Sequence, residues 1–260
     1  GTSSLTVRGE THTVDSGDVL NIADSATAVT HSYSVSDLAV SRDGAGAIGY
    51  DNFETLNLQT GSEGDIVSVS STIAAGMTSI QTGAGADIIT VTTTGSGSNL
   101  SLDLGAGTDT ASVTVTGSGS FVVVSGGNDA DAIDLPSVGN SARVGLSGND
   151  GSDVFAVRGT AATSVVDLVG GNGSDTFNIG STSNSLDDLL GSVFVAGSAH
   201  DAGMTALTVR GVPLLLDTGD VLNLNDLGDV NADDAGLFDN NTYQLSEVAF
   251  SRTGTGSVQY

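Results

Sequence analysis

The 260-residue sequence contains no cysteine, no tryptophan and no lysine, and it has only 2 prolines. The absence of cysteine excludes disulfides and thiolate metal sites. Its 6 basic residues, all arginine, stand against 31 Asp and Glu, so the formal net charge is −25. This charge argues against nucleic acid and anionic membranes as partners, because both select basic surfaces. No run of 18 apolar residues occurs, so we expect no membrane insertion.

What the sequence has in abundance is aspartate and glycine. Only 4 of the acidic residues are glutamate, and 37 residues are glycine. Aspartate favours turns and metal-binding loops, whereas glutamate favours helices. An apolar content of 38% with regular alternation argues against general disorder.

Six aspartates recur at a fixed 22-residue interval without slippage. They are Asp65, Asp87, Asp109, Asp131, Asp153 and Asp175. Four residues before each lies a residue that readily takes positive φ in a tight turn. These residues are Gly61, Gly83, Gly105, Gly127, Asn149 and Gly171. The turn is therefore repeated together with the carboxylate.

Apolar residues repeat in the same register and alternate with a period of two. One column, two residues after each aspartate, holds Val67, Ile89, Ala111, Ile133, Phe155 and Phe177. A second column, three residues before each turn residue, holds Leu58, Ile80, Leu102, Val124, Leu146 and Leu168. Each 22-residue unit is thus predicted to contain two short strands and no helix. The sequence predicts an all-β parallel solenoid, which grows by stacking units.

A longer repeat encloses the short one. Residues 5–24 reappear from Leu207 at an offset of 202, and residues 41–50 reappear from Ser251 at an offset of 210. We expect one large repeat of a tandem array together with the start of its neighbour, within a longer protein. The predicted divisions are irregular β coils over 1–59, the regular solenoid over 60–180, and irregular β coils over 181–260. A helical turn is possible at residues 185–190.

Carboxylates stacked in one column repel one another, and this repulsion must be offset. Neighbouring coils lie about 4.8 Å apart, so each pair of charges would repel by roughly 1 kcal/mol in water and about 3.5 kcal/mol at an effective dielectric near 20. A hard dication between them, held by carboxylates and turn carbonyls, offsets this repulsion. Six to eight oxygen ligands suit Ca²⁺ better than Mg²⁺.

The unit resembles the nonapeptide G-G-x-G-x-D-x-U-x, with U apolar, of the RTX (hemolysin-type) calcium-binding repeats. Residues 170–178 match every defined position, residues 126–134 depart only at the fourth, and residues 148–156 depart only at the second. Residues 82–90 and 104–112 keep the second and fourth glycines and the aspartate. In residues 60–68, Glu63 replaces the fourth glycine.

This resemblance covers about 120 of the 260 residues. It implies a right-handed parallel β-roll in which the six aspartates and turn carbonyls of adjacent coils bind Ca²⁺. RTX coils carry two nonapeptides, one at each bend, whereas each 22-residue coil here carries one. We therefore expect one calcium column, on one edge.

Other interpretations of the aspartates and of the chain remain open. Each aspartate could instead cap its own turn through backbone N–H groups, without metal. Asp18 and Asp220 are either turn caps or further ligands. A polysaccharide-degrading β-helix enzyme is less favoured, because a catalytic site would interrupt the repeat and the acids lie where it is most regular. A carbohydrate- or surface-binding β-helix module is the second alternative.

The expected function is structural, and the chain is not expected to be an enzyme. The sequence predicts a calcium-binding spacer or stalk segment of a long bacterial surface or secreted protein, such as an adhesin. Its expected partners are calcium ions and neighbouring repeats of the same chain. Its adhesive ligand is not indicated by any motif, and its expected location is extracellular or on the cell surface.

Overall fold

A computed structural model of the chain describes residues 5–9, 17–182, 185–197, 206–209, 212–215, 221–224, 243–245, 249–252 and 257–259. These residues form strands, turns and bends, and none of them lies in a helix. A membrane-spanning helix is accordingly not found in the described ranges.

The first sheet contains 13 strands within the described residues. In spatial order they run β1-β5-β4-β3-β7-β9-β11-β13-β15-β17-β21-β19-β20. Their bounds are β1 Leu5–Arg8, β3 Ser32–Val35, β4 Ala39–Arg42, β5 Ile48–Asp51, β7 Ile66–Val69, β9 Ile88–Thr93, β11 Thr110–Val115, β13 Ala132–Leu135, β15 Val154–Val157, β17 Thr176–Ile179, β19 Ala206–Val209, β20 Val212–Leu215 and β21 Val221–Leu224.

The second sheet contains 11 strands in the part of the chain that is described. Their spatial order is β2-β6-β8-β10-β12-β14-β16-β18-β24-β23-β22. Their bounds are β2 Val19–Ala23, β6 Thr55–Gln59, β8 Met77–Gln81, β10 Asn99–Ala106, β12 Phe121–Asn128, β14 Arg143–Asp150, β16 Val165–Asn172, β18 Ser192–Ala196, β22 Tyr243–Leu245, β23 Ala249–Arg252 and β24 Ser257–Gln259.

The predicted 22-residue interval is the pairing register of both sheets. From β6 to β17 the chain alternates between the sheets, and each strand from β6 to β15 pairs in parallel with the strand 22 residues later. Thr110 in β11 pairs with Ala132 in β13, and Leu100 in β10 pairs with Val122 in β12. The model is therefore all-β with two largely parallel sheets, which is consistent with a solenoid-like fold.

The predicted apolar columns form the core. Val67, Ile89, Ala111, Ile133, Phe155 and Phe177 are all buried, as are Leu58, Ile80, Leu102, Val124, Leu146 and Leu168. The rings of Phe155 and Phe177 stack with centroids 5.0 Å apart and planes 6° from parallel. Side chains alternate inward and outward along each strand, so the sequence places one apolar stripe from each strand between the sheets.

The flanking segments are more regular than the sequence suggested. Residues 32–51 form three consecutive strands with antiparallel pairing, and β3 also pairs in parallel with β7. The possible helical turn at residues 185–190 is wrong, because this segment contains only turns, a bend and a single bridge residue. Leu186 and Leu189 are buried there, so burial of two leucines mimicked a helical pattern. The insertion itself is confirmed, since Val165 pairs with Ser192 and not with Asp187, its partner in the regular register.

Candidate metal centre

The six aspartates occupy the point where each turn enters a strand of the first sheet. Each immediately precedes a strand such as β11 or β13, in the repeated register. All six residues are between 0 and 2% exposed, which is unusual for a charged side chain. The structure therefore brings all six sequence-predicted residues together in one buried column.

One oxygen of each carboxylate links adjacent units. The backbone N–H of Asp109 donates to Oδ1 of Asp131 at 2.8 Å, and that of Asp131 donates to Oδ1 of Asp153 at 2.8 Å. The same bond joins Asp65 to Asp87, Asp87 to Asp109, and Asp153 to Asp175. The N–H of His31 donates to Asp65 at the start of the column. Each of these aspartates therefore caps the preceding unit through Oδ1. Capping of its own turn, the alternative without metal, occurs at Asp65.

The second carboxylate oxygen, Oδ2, differs from Oδ1 in its hydrogen bonding. Oδ2 of Asp109, Asp131 and Asp153 is buried and accepts no hydrogen bond. Asp65 differs, because its Oδ2 accepts the N–H of Gly61 in its own turn at 2.9 Å. A buried charged oxygen without a partner is costly, so these atoms require a proton or a cation.

Burial changes the pKa values of several aspartates in the column. Burial raises the pKa of Asp87 and Asp131 to about 6 and the pKa of Asp109 to about 7. The backbone N–H bonds oppose the shift, while neighbouring carboxylates add to it. Burial also raises the pKa of Asp153. The pKa of Asp109 therefore lies near neutral pH, and the pKa values of Asp87 and Asp131 lie slightly below it.

Beside the later aspartates, a glycine at the first position of the nonapeptide lets a carboxylate oxygen and a backbone carbonyl oxygen approach the same point, which a side chain would block. A Cβ added at Gly148 would lie 1.9 Å from Oδ2 of Asp153 and 2.5 Å from the carbonyl oxygen of Gly170. A Cβ at Gly126 would likewise lie 2.5 Å from Oδ2 of Asp131 and 2.8 Å from the carbonyl oxygen of Gly148. A carboxylate oxygen and a carbonyl oxygen of the next unit therefore face the same small cradle.

The earlier units fill this cradle with side chains. The positions equivalent to Gly126, Gly148 and Gly170 are Thr60, Thr82 and Leu104, all of them buried. The Thr82 hydroxyl donates to the carbonyl oxygen of Leu104 at 2.8 Å, so it occupies a backbone oxygen that a cation could otherwise use. Sequence analysis missed this column of residues, although the first position of the nonapeptide already separates the early units from the late ones.

The turns themselves allow the backbones to stack closely. Gly105 has φ +96° and Gly127 has φ +115°, and a Cβ at Gly127 would lie 1.8 Å from the carbonyl oxygen of Gly105. Glycine suits both the left-handed backbone and this approach. Asn149 takes the equivalent position in one coil with φ +74°, so the turn requires a residue that tolerates positive φ, whatever the turn binds.

The opposite bend provides an internal comparison. There, buried threonine hydroxyls accept backbone N–H groups of the next unit: Gly95 donates to Thr72, Gly117 to Thr94 and Gly139 to Thr116, at 2.8 to 3.0 Å. This bend carries no column of carboxylates in the described residues. Neutral acceptors thus suffice to cap N–H groups between units, so capping alone does not explain the aspartates.

The arrangement fits a cation held by oxygen atoms from side chains and backbone together. Within the described ranges, no three His, Asp or Glu side chains converge on one point. Any ligand set must therefore combine one or two carboxylates with turn carbonyls, a composition that suits Ca²⁺. The unpartnered Oδ2 atoms and the glycine cradles are consistent with such a set.

One of the two further ligand candidates, Asp18, does not join the column. Asp18 lies in the first flanking segment, where its backbone N–H donates to Oε2 of Glu54 at 2.6 Å and its carbonyl oxygen accepts the N–H groups of Glu54 and Thr55. Asp220 lies outside the described residues.

Comparisons with protein-family models, with curated proteins and with solved structures return no match for this chain.

Proposed function

We propose that the chain is a calcium-binding structural module built as a right-handed parallel β-solenoid of 22-residue coils. The pairing of each strand with the strand one unit later in both sheets supports the solenoid. The alternation of single strands between the sheets from β6 to β17 supports it further. The hand follows the strong right-handed preference of parallel β connections.

The observation that carries the calcium proposal is the second carboxylate oxygen. In successive coils one oxygen is used by the backbone, and in Asp109, Asp131 and Asp153 the other is buried without a hydrogen bond. Natural proteins rarely leave such an atom uncompensated. Its recurrence in one register indicates a shared requirement of these coils.

The threonine bend argues for a cation over simple capping. Threonine performs the inter-coil N–H capping on one edge without any charge. Aspartate on the other edge adds a buried charge that a neutral acceptor would avoid, and burying it costs several kcal/mol unless it is paired. A bound dication would offset that cost.

The residues that would hold calcium are the column aspartates together with carbonyl oxygens at the first position of the nonapeptide. Asp131 with Gly148, and Asp153 with Gly170, face common cradles. In the coils of Asp65 and Asp87 the side chains of Thr60 and Thr82 occupy the equivalent space. We therefore expect the later coils to bind more tightly than the earlier ones.

Calcium would neutralise buried carboxylates and join adjacent coils through shared oxygens. The chain carries a net charge of −25, which opposes compaction until cations bind. Folding and calcium binding would then be coupled, because the ligands come together only in the folded coils. The function that follows is mechanical: a spacer or stalk that becomes stiff when calcium is present.

Such a module is suited to an extracellular or cell-surface protein of bacterial type, for example an adhesin. Extracellular calcium modules bind at about 10⁻⁴ to 10⁻³ M, a range in which calcium acts as a location signal for folding. The tandem repetition of the flanking segments supports a long array of such modules.

Isothermal titration with calcium at neutral pH tests the site. The double variant Asp131→Asn with Asp153→Asn is expected to lose at least one bound ion, while the remaining coils stay folded. Asp103→Asn with Asp167→Asn is the matched control, because it removes the same number of charges from aspartates that are exposed. Equal stoichiometry and affinity in all three proteins would reject the assignment of the column.

A further inference from the structure

The two copies of the flanking segment sit at opposite ends of the solenoid and pair with it differently. By sequence, β2 corresponds to β21, and β3, β4 and β5 correspond to β22, β23 and β24. In the first copy β2 and β3 pair with the coil that follows, through β6 and β7. In the second copy β21 and β24 pair with the coils that precede, through β17 and β18.

The equivalent strands β2 and β21 pair with the solenoid through opposite edges. Leu20 and Ile22 of β2 face the core, and so do Leu222 and Leu224 of β21, at the same offset of 202. Both strands also run parallel to their solenoid partners. The inward face and the strand direction are the same in both copies. β2 therefore pairs with the following coil through one edge, and β21 pairs with the preceding coil through the opposite edge.

One asparagine shows that the two pairings are chemically compatible. Asn21 accepts a hydrogen bond through Oδ1 from Nδ2 of Asn57 in the following coil, at 2.8 Å. Its equivalent, Asn223, donates from Nδ2 to Oδ1 of Asn178 in the preceding coil, at 2.9 Å. An amide can do both at once. The same side chain can therefore join a coil before it to a coil after it.

The three-stranded part shows the same division of edges. β5 and β24 both pair on one side with their hairpin neighbour, β4 or β23, in matching antiparallel registers. The other edge of β24 pairs with β18 of the solenoid. At the far side of the hairpins, β3 pairs with β7 of the following coil, whereas no described strand pairs with the equivalent edge of β22.

We propose that this flanking segment is a junction with two docking surfaces, and that in the second copy the edge of β21 now covered by β19, together with the outer edge of β22, binds the first coil of another copy of this solenoid. The preceding solenoid binds through β21 and β24, and the following one would bind through β21 and β22. Both sheets then continue across the junction by backbone hydrogen bonds. The inference rests on the solenoid fold and is independent of calcium.

In each copy a short strand covers one of the two docking edges that carry no solenoid. The edge of β5 that corresponds to the solenoid-binding edge of β24 is covered by β1. β19, the sequence counterpart of β1, pairs instead with β21. It occupies the edge of β21 that corresponds to the edge through which β2 pairs with β6 in the first copy. Unpaired edges promote aggregation, so such a cover is useful until the next solenoid docks. Docking would require β19 to leave β21.

An engineered disulfide tests the junction in a tandem protein. Because Tyr260 matches Tyr50, residues 51–260 can be joined directly after residue 260. Paired parallel strands bring Cα atoms within about 4.8 Å, which a disulfide can bridge. Asn223→Cys in the first repeat and Asn57→Cys in the second should form an intramolecular disulfide on mild oxidation at low protein concentration. The chain has no other cysteine.

Two controls keep the test decisive. Asn21→Cys with Asn57→Cys in the 260-residue chain must cross-link, because these residues are paired neighbours. Asn223→Cys with Ser79→Cys in the second repeat lies one coil too far and should remain largely reduced. Cross-linking of Asn223 with Asn57 at the level of the Ser79 control, while the Asn21 pair cross-links, would overturn the junction.

Hydrogen exchange on the unsubstituted tandem protein gives a second measurement. The amides of Tyr243–Leu245 should exchange at least tenfold more slowly in the first repeat of the tandem protein than in the 260-residue chain. Equal exchange in both proteins would contradict docking at β22. This result requires no substitution, so it is not affected by a variant that fails to fold.

Discussion

Without calcium, the protein is expected to become more stable as pH falls from about 7.5 to about 5. Burial raises the pKa of Asp87, Asp109 and Asp131 to between about 6 and about 7 in the folded chain. In the unfolded chain the pKa of aspartate is about 3.9. The folded state therefore binds more protons, so its stability is fully present below pH about 4 and is lost as pH rises through about 6 to 7.

The magnitude follows from the number of groups involved. One pKa unit corresponds to about 1.4 kcal/mol, so three carboxyls that each retain one unit of their shift contribute about 4 kcal/mol. That is a large part of the usual stability of a domain, about 5 to 15 kcal/mol.

Urea unfolding at about pH 5, 6, 7 and 7.5, once with EDTA and once with millimolar calcium, measures this effect. In EDTA the unfolding free energy should rise as pH falls. In calcium it should fall or stay level, because protons then compete with the metal for the carboxylates. His31→Gln is the control variant for the histidine whose Nδ1 lies 2.9 Å from Oδ1 of Asp43. A free energy in EDTA that decreases from pH 7.5 to 5 would refute the reasoning.

Three substitutions test individual parts of the structure. Gly148→Ala should destabilise the protein by about 2 kcal/mol or more and weaken calcium binding, because the added Cβ would clash with Oδ2 of Asp153. Gly145→Ala in the same strand has nothing within 4 Å and should change stability by less than about 0.5 kcal/mol; equal losses in circular-dichroism melts would contradict the cradle. Phe177→Ala should cost about 3 to 5 kcal/mol in urea unfolding through loss of its buried stack, and a cost below about 1 kcal/mol would argue against the packed core. Thr116→Val should cost about 1 to 3 kcal/mol by leaving a backbone N–H without its acceptor, with unchanged calcium stoichiometry; a lost ion would place calcium at the wrong bend.

The repeat allowed much of the fold to be predicted from sequence. The fixed 22-residue interval sets the pairing register, and the period-two columns identify buried residues such as Leu102 and Phe155. Stacked repeats make this inference strong, because each unit can bury its apolar face only against its neighbours. The aspartate column was predicted for the same reason.

Features that depend on contacts between units were not visible in the pattern. The aspartates cap the neighbouring unit through Oδ1, a bond set by the stacking distance and not by the turn sequence. The three-stranded arrangement of residues 32–51 follows from antiparallel pairing outside the repeat. The failed helical turn at residues 185–190 shows that a short apolar pair in an insertion does not determine secondary structure.

Thermal unfolding and far-UV circular dichroism at neutral pH, with EDTA and with millimolar calcium, test the central claim most directly. The unpartnered buried carboxylate oxygens predict a substantially higher melting temperature and greater strand content in calcium, with magnesium at the same concentration giving a smaller effect. Identical strand content and melting temperature in EDTA and in calcium would contradict the proposal that the aspartate column binds calcium.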